Sequence, residues 1–427
     1  MKMNCNRHGA ILTHELADVR RRDHLVRRPD RHAVISAIML ATLLAGTSCG
    51  GDTAPGPQDA RASWTLSDEP TVIIGGADER EGYLLHWVTG ATRLGDGRIV
   101  VANESTSELK YYDPEGMHLF DTGGEGGGPG EFAGSLQRLA RTPGDSVLVL
   151  SSLSGITRFG PDGRYVRSSR YRLPPSGHCR RIAGRQRLVP DGSIVLGYGF
   201  FVGRGGECPP PSPGEARQPM VVGRFVPATG GFDTIAELPA ADIASDPETM
   251  HAYPRNRVYG IGHDRIYLGD TGSDTILAMS FTGERIGVLP VPFEPAPVPA
   301  DAKEKLSREE VFTRPGQSIT LSLTLVYPDY YPRYARLVAA PEDRVWVMAY
   351  PPLKDPVMYP EEVIHPRIHR RLDGGALWKV VDRDGSPIAE LQTPPGFFLL
   401  EVGDDYILGI HKDELGREGV RLYGLTR

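Results

Sequence analysis

The feature that most constrains this chain is a turn pattern that recurs six times along it. It is clearest at Leu94-Gly-Asp-Gly-Arg-Ile-Val-Val-Ala102, followed by Glu108-Leu-Lys-Tyr-Tyr-Asp-Pro-Glu-Gly116. An Asp-Gly turn leads into a β-branched run, a polar break, a second alternating run and an Asp-x-x-Gly turn. Asp-Gly favours tight hairpins because glycine accepts positive φ. Valine and isoleucine suit a pleated, buried surface. The segment therefore reads strand, turn, strand, turn, strand. Pro143-Gly-Asp-Ser-Val-Leu-Val-Leu150 leads in the same way to Gly160-Pro-Asp-Gly163, and Pro190-Asp-Gly-Ser-Ile-Val-Leu196 leads to Ala228-Thr-Gly-Gly231. Gly262-His-Asp-Arg-Ile-Tyr-Leu268 leads to Thr282-Gly-Glu284, and Pro341-Glu-Asp-Arg-Val-Trp-Val347 to Asp382-Arg-Asp-Gly385. The last copy runs from Gly403-Asp-Asp-Tyr-Ile-Leu408 to Val420-Arg-Leu-Tyr423. In the three compact copies the two turns lie 19, 18 and 19 residues apart (97 and 116, 145 and 163, 264 and 283).

A chain of 427 residues would ordinarily suggest two or three domains. A repeat overrides that expectation, because each unit buries its apolar faces against its neighbours. Units of about 60 residues, insertions included, with four strands each read as propeller blades. The predicted fold is all-β: one six-bladed β-propeller over 64–427. The last copy ends after its third strand. Thr71-Val-Ile-Ile74 precedes the first copy and is expected to pair with the C-terminal blade, closing the ring and removing two exposed strand edges. The segment 291–340 is long and irregular and admits five or seven blades. Within it, Ala302–Phe312 reads as a short polar helix that would cap one face. Glycine (51) and proline (37) make up about a fifth of the chain, below the roughly 25–30% that signals disorder. On this reading they sit in blade turns and insertions.

Gly124-Glu-Gly-Gly-Gly-Pro-Gly-Glu-Phe132 resembles the Gly-x-Gly-x-Gly-Pro-Gly-Glu-Phe signature of bacterial six-bladed β-propeller proteins, relatives of NHL-repeat and TolB-like propellers and often lipoproteins. The ending Ile407-Leu-Gly-Ile-His-Lys-Asp-Glu-Leu-Gly416 with Val420-Arg-Leu-Tyr423 is similar to the closing blade of such chains. The resemblance covers roughly 70–427 and implies the fold, with little assigned biochemistry.

The N-terminus is a separate object. Residues 1–48 hold eight basic and four acidic residues, leaving 40 basic and 50 acidic, a net of −10, in the remainder. A nucleic-acid binder usually carries a basic excess, so no nucleic-acid partner is expected. The apolar run Ala33–Ala45 is too short to span a bilayer, which needs about 20 residues. Its basic flank and the small residues after it describe a secretory signal. Gly46-Thr-Ser-Cys49 resembles a bacterial lipoprotein signal, with Gly46 where that signal normally has leucine. The resemblance implies lipidation of Cys49, attachment to the membrane through that lipid and, since aspartate does not follow the cysteine, an outer-membrane location. The predicted organisation is a signal peptide over 1–48, a flexible tether over 49–63 and the propeller over 64–427. Cys179 and Cys208, 29 residues apart in an exported chain, are either a disulfide or two free thiols.

Catalytic chemistry finds little support. The glycine-rich stretch lacks the Gly-Lys-Ser/Thr of a phosphate loop, and Pro129 with no following helix excludes a dinucleotide fingerprint. Its expected use is structural, with Phe132 packing between blades. His365-Pro-Arg-Ile-His369 lacks the glutamate of a metalloprotease site. His86, His263 and His411 read as surface or between-blade residues. No Gly-x-Ser-x-Gly elbow is present. Asn103, Glu104, Asp270 and Asp274 lie near expected strand ends, where a calcium-dependent propeller enzyme would need six to eight oxygen ligands. Tyr327-Pro-Asp-Tyr-Tyr-Pro-Arg-Tyr334, Tyr350-Pro-Pro352 and Met358-Tyr-Pro360 place tyrosines in loops, and tyrosine is enriched at interfaces. The expectation is an envelope-anchored binding or scaffold module for a protein, peptide or glycan, without catalytic residue, metal or cofactor. Its candidate surface is Tyr330, Tyr331 and Tyr359. The alternative is a metal-dependent, lactonase-like hydrolase or lyase with its site in the central channel.

Overall fold

Each repeat folds as a four-stranded antiparallel meander, and six such sheets form a ring. The computed structural model describes residues 64–170, 180–200, 217, 219–239, 241–242, 249–304, 307–314, 317–351 and 375–427. Strands β1 (Thr65–Leu66) and β2 (Val72–Gly75) come first in the chain but belong to the last blade. Blade 1 is β3 (Val88–Arg93), β4 (Ile99–Asn103), β5 (Glu108–Tyr112) and β6 (His118–Gly123). Blade 2 is β7 (Leu136–Arg141), β8 (Val147–Ser151), β9 (Gly155–Phe159) and β10 (Tyr165–Ser169). Blade 3 is β11 (Arg180–Leu188), β12 (Ile194–Phe200), β13 (Pro219–Val226) and β14 (Gly231–Pro239). A short strand, β15 (Thr249–His251), precedes blade 4, which is β16 (Arg257–Ile261), β17 (Arg265–Asp270), β18 (Thr275–Ser280) and β19 (Arg285–Pro290). After β20 (Ser307–Arg314) and β21 (Gln317–Val326), blade 5 is β22 (Tyr334–Ala339), β23 (Val345–Ala349), β24 (Leu377–Val381) and β25 (Pro387–Gln392).

Blade 6 closes the ring. The C-terminus supplies β26 (Phe397–Val402), β27 (Tyr406–Lys412) and β28 (Glu418–Thr426), and β2 pairs antiparallel with β28 from Val72↔Leu422 to Gly75↔Gly419. β1 extends the seam, with Thr65 opposite Thr426. The fourth strand of the last blade therefore comes from the N-terminal side, as the repeat count requires.

The core lies between blades. Six apolar clusters occupy the six interfaces, and the cluster that joins Ile74, Val88, Ile99 and Val101 to Phe398, Leu408 and Val420 is the closing one. This explains the sequence of the second strands. All residues of β4 (Ile99-Val-Val-Ala-Asn103) and β8 (Val147-Leu-Val-Leu-Ser151) are buried, because both faces of the sheet meet a neighbouring blade. A strand buried on both faces reads as a continuous apolar run, not an alternating one. The outermost β10 meets solvent and is mostly exposed. The recurrent aspartates set the turns: Asp113 Oδ1 accepts from the N–H of Glu115 (3.1 Å) and Met117 (2.7 Å), and Asp382 Oδ1 accepts from Asp384 (3.0 Å) and Ser386 (2.9 Å). This is the Asx-turn use of aspartate.

The glycine-rich signature wedges blades 1 and 2 together. Phe132 N–H donates to Gly124 O (2.8 Å), and Gly126 N–H donates back to Phe132 O (3.1 Å). The Glu131 carboxylate accepts from Gly128 N–H at 2.8 Å. A Cβ on Gly123 would sit 2.7 Å from the Phe132 ring, and one on Gly126 would sit 2.0 Å from the Glu131 carboxylate. Gly123 also has φ +104°, a conformation side chains disfavour. Phe132 is fully buried among Leu94, Val100 and Tyr111 of one blade and Leu136, Val149 and Phe159 of the next. Phe132→Ala is expected to cost about 3–5 kcal/mol of unfolding free energy in urea titration. A loss below about 1 kcal/mol would mean that the neighbours collapse into the space and that Phe132 is no wedge.

One expectation is corrected. Ala302–Phe312 is not a helix: a single 3-10 turn at Asp301–Lys303 gives way to β20, which pairs with β21 from Ser307↔Thr324 to Arg314↔Gln317. The partner reads Gln-Ser-Ile-Thr-Leu-Ser-Leu-Thr-Leu-Val, a strongly β-forming alternation. The Pro315-Gly316 dipeptide between the two strands is a turn former. Pairing with such a neighbour outweighs the helix propensity of Arg308, Glu309 and Glu310 within the strand. β21 also pairs, in parallel, with β15, giving a three-stranded sheet outside the six blades.

Candidate functional site

Strand direction divides the propeller into two unlike faces. In a meander whose first strand lines the axis, the first–second and third–fourth connections lie at one end. The second–third and blade-to-blade connections lie at the other. The first end carries tight turns such as Leu94–Arg98 and Asp113–Met117. The long excursions leave from the second end: those between β12 and β13, β14 and β16, β19 and β22, and β23 and β24. The small sheet β15-β21-β20 is built from two of these connectors.

The tyrosine-rich connector lies on this elaborated face. It folds back on itself: Tyr331 N–H donates to Ala296 O and Val298 N–H to Asp329 O, both at 2.9 Å. Tyr330 pairs with Pro297 in an isolated bridge, and its side chain is 55% exposed. Tyr331 turns inward, with ring centroids 4.7 Å from Tyr253 (edge-on) and 6.1 Å from Tyr350 (stacked). Of the tyrosines expected to form one surface, Tyr330 is presented and Tyr331 packs. Tyr359 lies outside the described residues, as do Cys49, Cys179, Cys208, His365 and His369.

Beside this face a network of charges holds the connector after blade 3. Asp242 accepts from Arg255 (Nη2, 2.8 Å) and lies 3.6 Å from Arg217, which also reaches Asp270 at 2.5 Å. Burial works against ionisation of Asp242, but its bonds from Arg255 outweigh it and hold the carboxyl below the usual range. Asp270 is therefore committed to an ion pair. Asn103 is equally committed: Oδ1 accepts from His86 N–H (2.8 Å) and Nδ2 donates to Thr106 Oγ1 (3.0 Å), bracing the turn that Glu104 opens. Asp274 is exposed. These four positions do not converge on the axis. Among the described residues, no group of three or more His, Cys, Asp or Glu could hold a metal ion. Among the described residues, no cluster of carboxylates fits the calcium centre of a lactonase-like channel. His86 stacks on Trp87 at 5.1 Å, His263 lies in an exposed turn, and His411 is half-buried in β27, its pKa lowered by burial and then by Arg421.

The axis itself is a channel of about 270 Å³, to which the first strand of every blade contributes. Its described lining is apolar and cationic: Leu139, Leu337, Phe398 and Leu400 alternate with Arg138, Arg187 and Arg336. Arg138 Nε donates to Gln186 O at 3.2 Å and its Nη1 to Gln137 O at 2.6 Å. The Arg336 guanidinium lies over the Phe398 ring at 4.1 Å, and Arg187 stands 6.0 Å from the Tyr259 ring. Burial, and then the charge of Arg187, pushes the Arg336 pKa down to about 9. No acidic residue occurs in the described lining. The nearby carboxylates are spent on closure: Glu418 accepts from Val88 N–H (2.9 Å) and Lys412 (3.3 Å), and Glu401 accepts from Arg93 N–H (3.3 Å) and the Tyr406 hydroxyl.

Sequence reasoning missed these arginines. They are 49 and 149 residues apart and belong to no motif. A signal existed in the repeat: Arg138-Leu, Arg187-Leu and Arg336-Leu each stand just before a first turn, and aligning the copies would have gathered them at the axis.

No family model and no curated protein matches this chain. Solved structures do. A member of the DUF4221 family from Bacteroides vulgatus is 13% identical, with 86% of this chain and 99% of that one covered at a TM-score of 0.49. Regucalcin from Agrobacterium tumefaciens, a calcium-binding protein, is 13% identical over 81% and 94% of the two chains, with a TM-score of 0.38. Virginiamycin B lyase from Staphylococcus aureus is 11% identical over 86% and 100%, with a TM-score of 0.36. At these identities and scores the likeness carries no functional argument, and one scaffold serves unlike activities. The chain is an all-β, six-bladed propeller on its own strand pairing.

Proposed function

We propose that this protein is an envelope-anchored propeller lipoprotein, related to the NHL and TolB-like propellers, that binds a protein, peptide or glycan through its elaborated face. The supporting observation is the asymmetry of the ring. Every long excursion among the described blades leaves from one end, where it adds a sheet, a packed tyrosine cluster and the exposed Tyr330, while the other end has only tight turns. A rigid scaffold with loops gathered at one end is how folds of this kind present a binding surface. Cys49 is the proposed lipid attachment point, with an outer-membrane location following from the residue after it. Several acyl chains on one cysteine, at about 0.8 kcal/mol per buried methylene, suffice for stable anchoring.

The test is photo-crosslinking in intact cells from a probe at position 330, compared with position 286, which is exposed at the opposite end. A defined adduct from 330 alone is expected. Identical patterns from both positions, or none from 330, would remove this face as the interface. In the same cells Cys49→Ala should move the protein out of the membrane fraction, and persistent retention would refute the lipid anchor.

A further inference from the structure

The chain enters the propeller at a defined place. β1 pairs with the last residues of β28, Thr65 opposite Thr426, and β2 runs back along the same strand from Val72. β28 is a third strand, so its last residues lie at the tight-turn end. Trp64 is fixed there beside Trp346, against the guanidiniums of Arg344 and Arg427. The entry is therefore on the rim of blade 6, at the end opposite the long excursions. Next to it the rim is apolar. The third–fourth turn of blade 1 abuts β2: a Cβ on Gly116 would sit 2.8 Å from Val72 Cγ1 and 3.4 Å from Ile73 O. Ile73 on one side of this seam and Met117 and Leu119 on the other are all exposed.

We propose that this corner of blades 6 and 1 is a membrane-contact surface, with Ile73, Met117 and Leu119 set into the lipid headgroup region. The inference rests on the lipid anchor at Cys49. The predicted tether over 49–63 is 15 residues long. A flexible coil of that length spans about 20 Å on average and at most about 50 Å. A lipid at Cys49 thus keeps the strip close to the bilayer, at an effective concentration in the millimolar range. Under that constraint a small apolar area is enough to settle into the interface. Alone it is too small to hold the protein there, and the exposed Glu69 and Glu115 beside it disfavour an anionic surface. The elaborated end is left facing away from the bilayer, and its partner arrives from the aqueous side.

The test uses the full lipidated chain in its own membranes, with a benzophenone amino acid at one position at a time. Position 119 lies in the strip. Position 286 is the matched control. Leu119 and Ile286 are each the second residue of a fourth strand, 46% and 45% exposed, and blade 4 lies across the ring from blade 1. Position 415 belongs to blade 6 but stands at the other end, exposed in the β27–β28 turn. Phospholipid adducts counted by mass spectrometry should be roughly fivefold or more abundant from 119 than from 286 or 415. Ile73→Gln should lower the yield from 119 severalfold and leave the thermal midpoint within about 2 °C, because the side chain it replaces is exposed. Equal lipid yields from the three positions, a greater yield from 286 or 415, or a protein adduct in place of lipid at 119 would overturn the proposal. The anchor is read separately from the same cells. Release of Cys49→Ala with equal adduct yields in the parent keeps the anchor and removes this surface, whereas retention of Cys49→Ala removes both.

Discussion

A chain that begins at Gly76 is expected to lose the folded ring. It lacks β1 and β2, the segment that supplies the last blade with its fourth strand. Three large apolar side chains leave with it. Ile74 is fully buried, Val72 nearly so, and Trp64 packs 6.3 Å from Trp346 beneath the guanidiniums of Arg344 and Arg427. Each is worth about 1.5–3 kcal/mol of burial. The sum is a large share of the roughly 5–15 kcal/mol that holds a typical domain together. The deletion also bares the edge of β28, and with it a row of unpaired N–H and C=O groups prone to aggregation. Urea titration and gel filtration should show loss of the cooperative transition or a thermal midpoint lower by on the order of 10 °C. A permuted chain separates closure from mere truncation. β28 and β2 are antiparallel neighbours, so attaching residues 64–75 after Arg427 through a short Gly/Ser linker rebuilds the blade as one meander. The permuted chain should recover the lost stability. An unchanged midpoint in the truncated chain, or no recovery on permutation, would mean that the seam does not hold the ring.

The same seam shows what could be read from sequence. Thr71–Ile74 was legible because the last repeat stops after three strands and an apolar run was left over at the other terminus. The blades were legible because turn chemistry and burial agree: Asp113 makes the turn, and Ile99–Asn103 must be apolar between two blades. β20 was not legible, because its partner strand decides its conformation and local propensity points the other way. Tyr331 looked like Tyr330 in sequence, yet one packs and the other is presented, since a one-residue step reverses the side chain. The channel arginines were hidden for a different reason. Only ring closure brings positions 138, 187 and 336 to one axis, and no local window contains that information.

The largest pH effect is expected in alkali, where buried phenols set the limit. Tyr111, Tyr112, Tyr259, Tyr267, Tyr334, Tyr350 and Tyr406 are all buried, and burial is the leading cause that raises each above the usual pKa near 10. Tyr259 and Tyr267 are pushed up to about 12. Four of the seven hydroxyls, on Tyr111, Tyr259, Tyr334 and Tyr350, have no hydrogen-bond partner among the described residues, so nothing compensates a buried phenolate. A phenol whose pKa is higher folded than unfolded contributes stability that is complete below pH 10 and is lost as pH climbs through the folded value. Two guanidiniums oppose this. Arg257 is lowered to about 10 and Arg336 to about 9, chiefly by burial, so the folded state sheds those protons first and gains stability over the same range. Seven groups outweigh two. At one pH unit above the free phenol value each tyrosine costs about 1.4 kcal/mol and the two guanidiniums together return about 4 kcal/mol, so the net loss of roughly 6 kcal/mol approaches the total stability of a typical domain. Phenolate absorbance and far-ultraviolet circular dichroism should therefore change together, in one steep step between about pH 10 and 12. A shallow phenolate titration centred near pH 10, with the β-sheet signal unchanged, would show that these hydroxyls ionise in place and that burial between the blades does not control them.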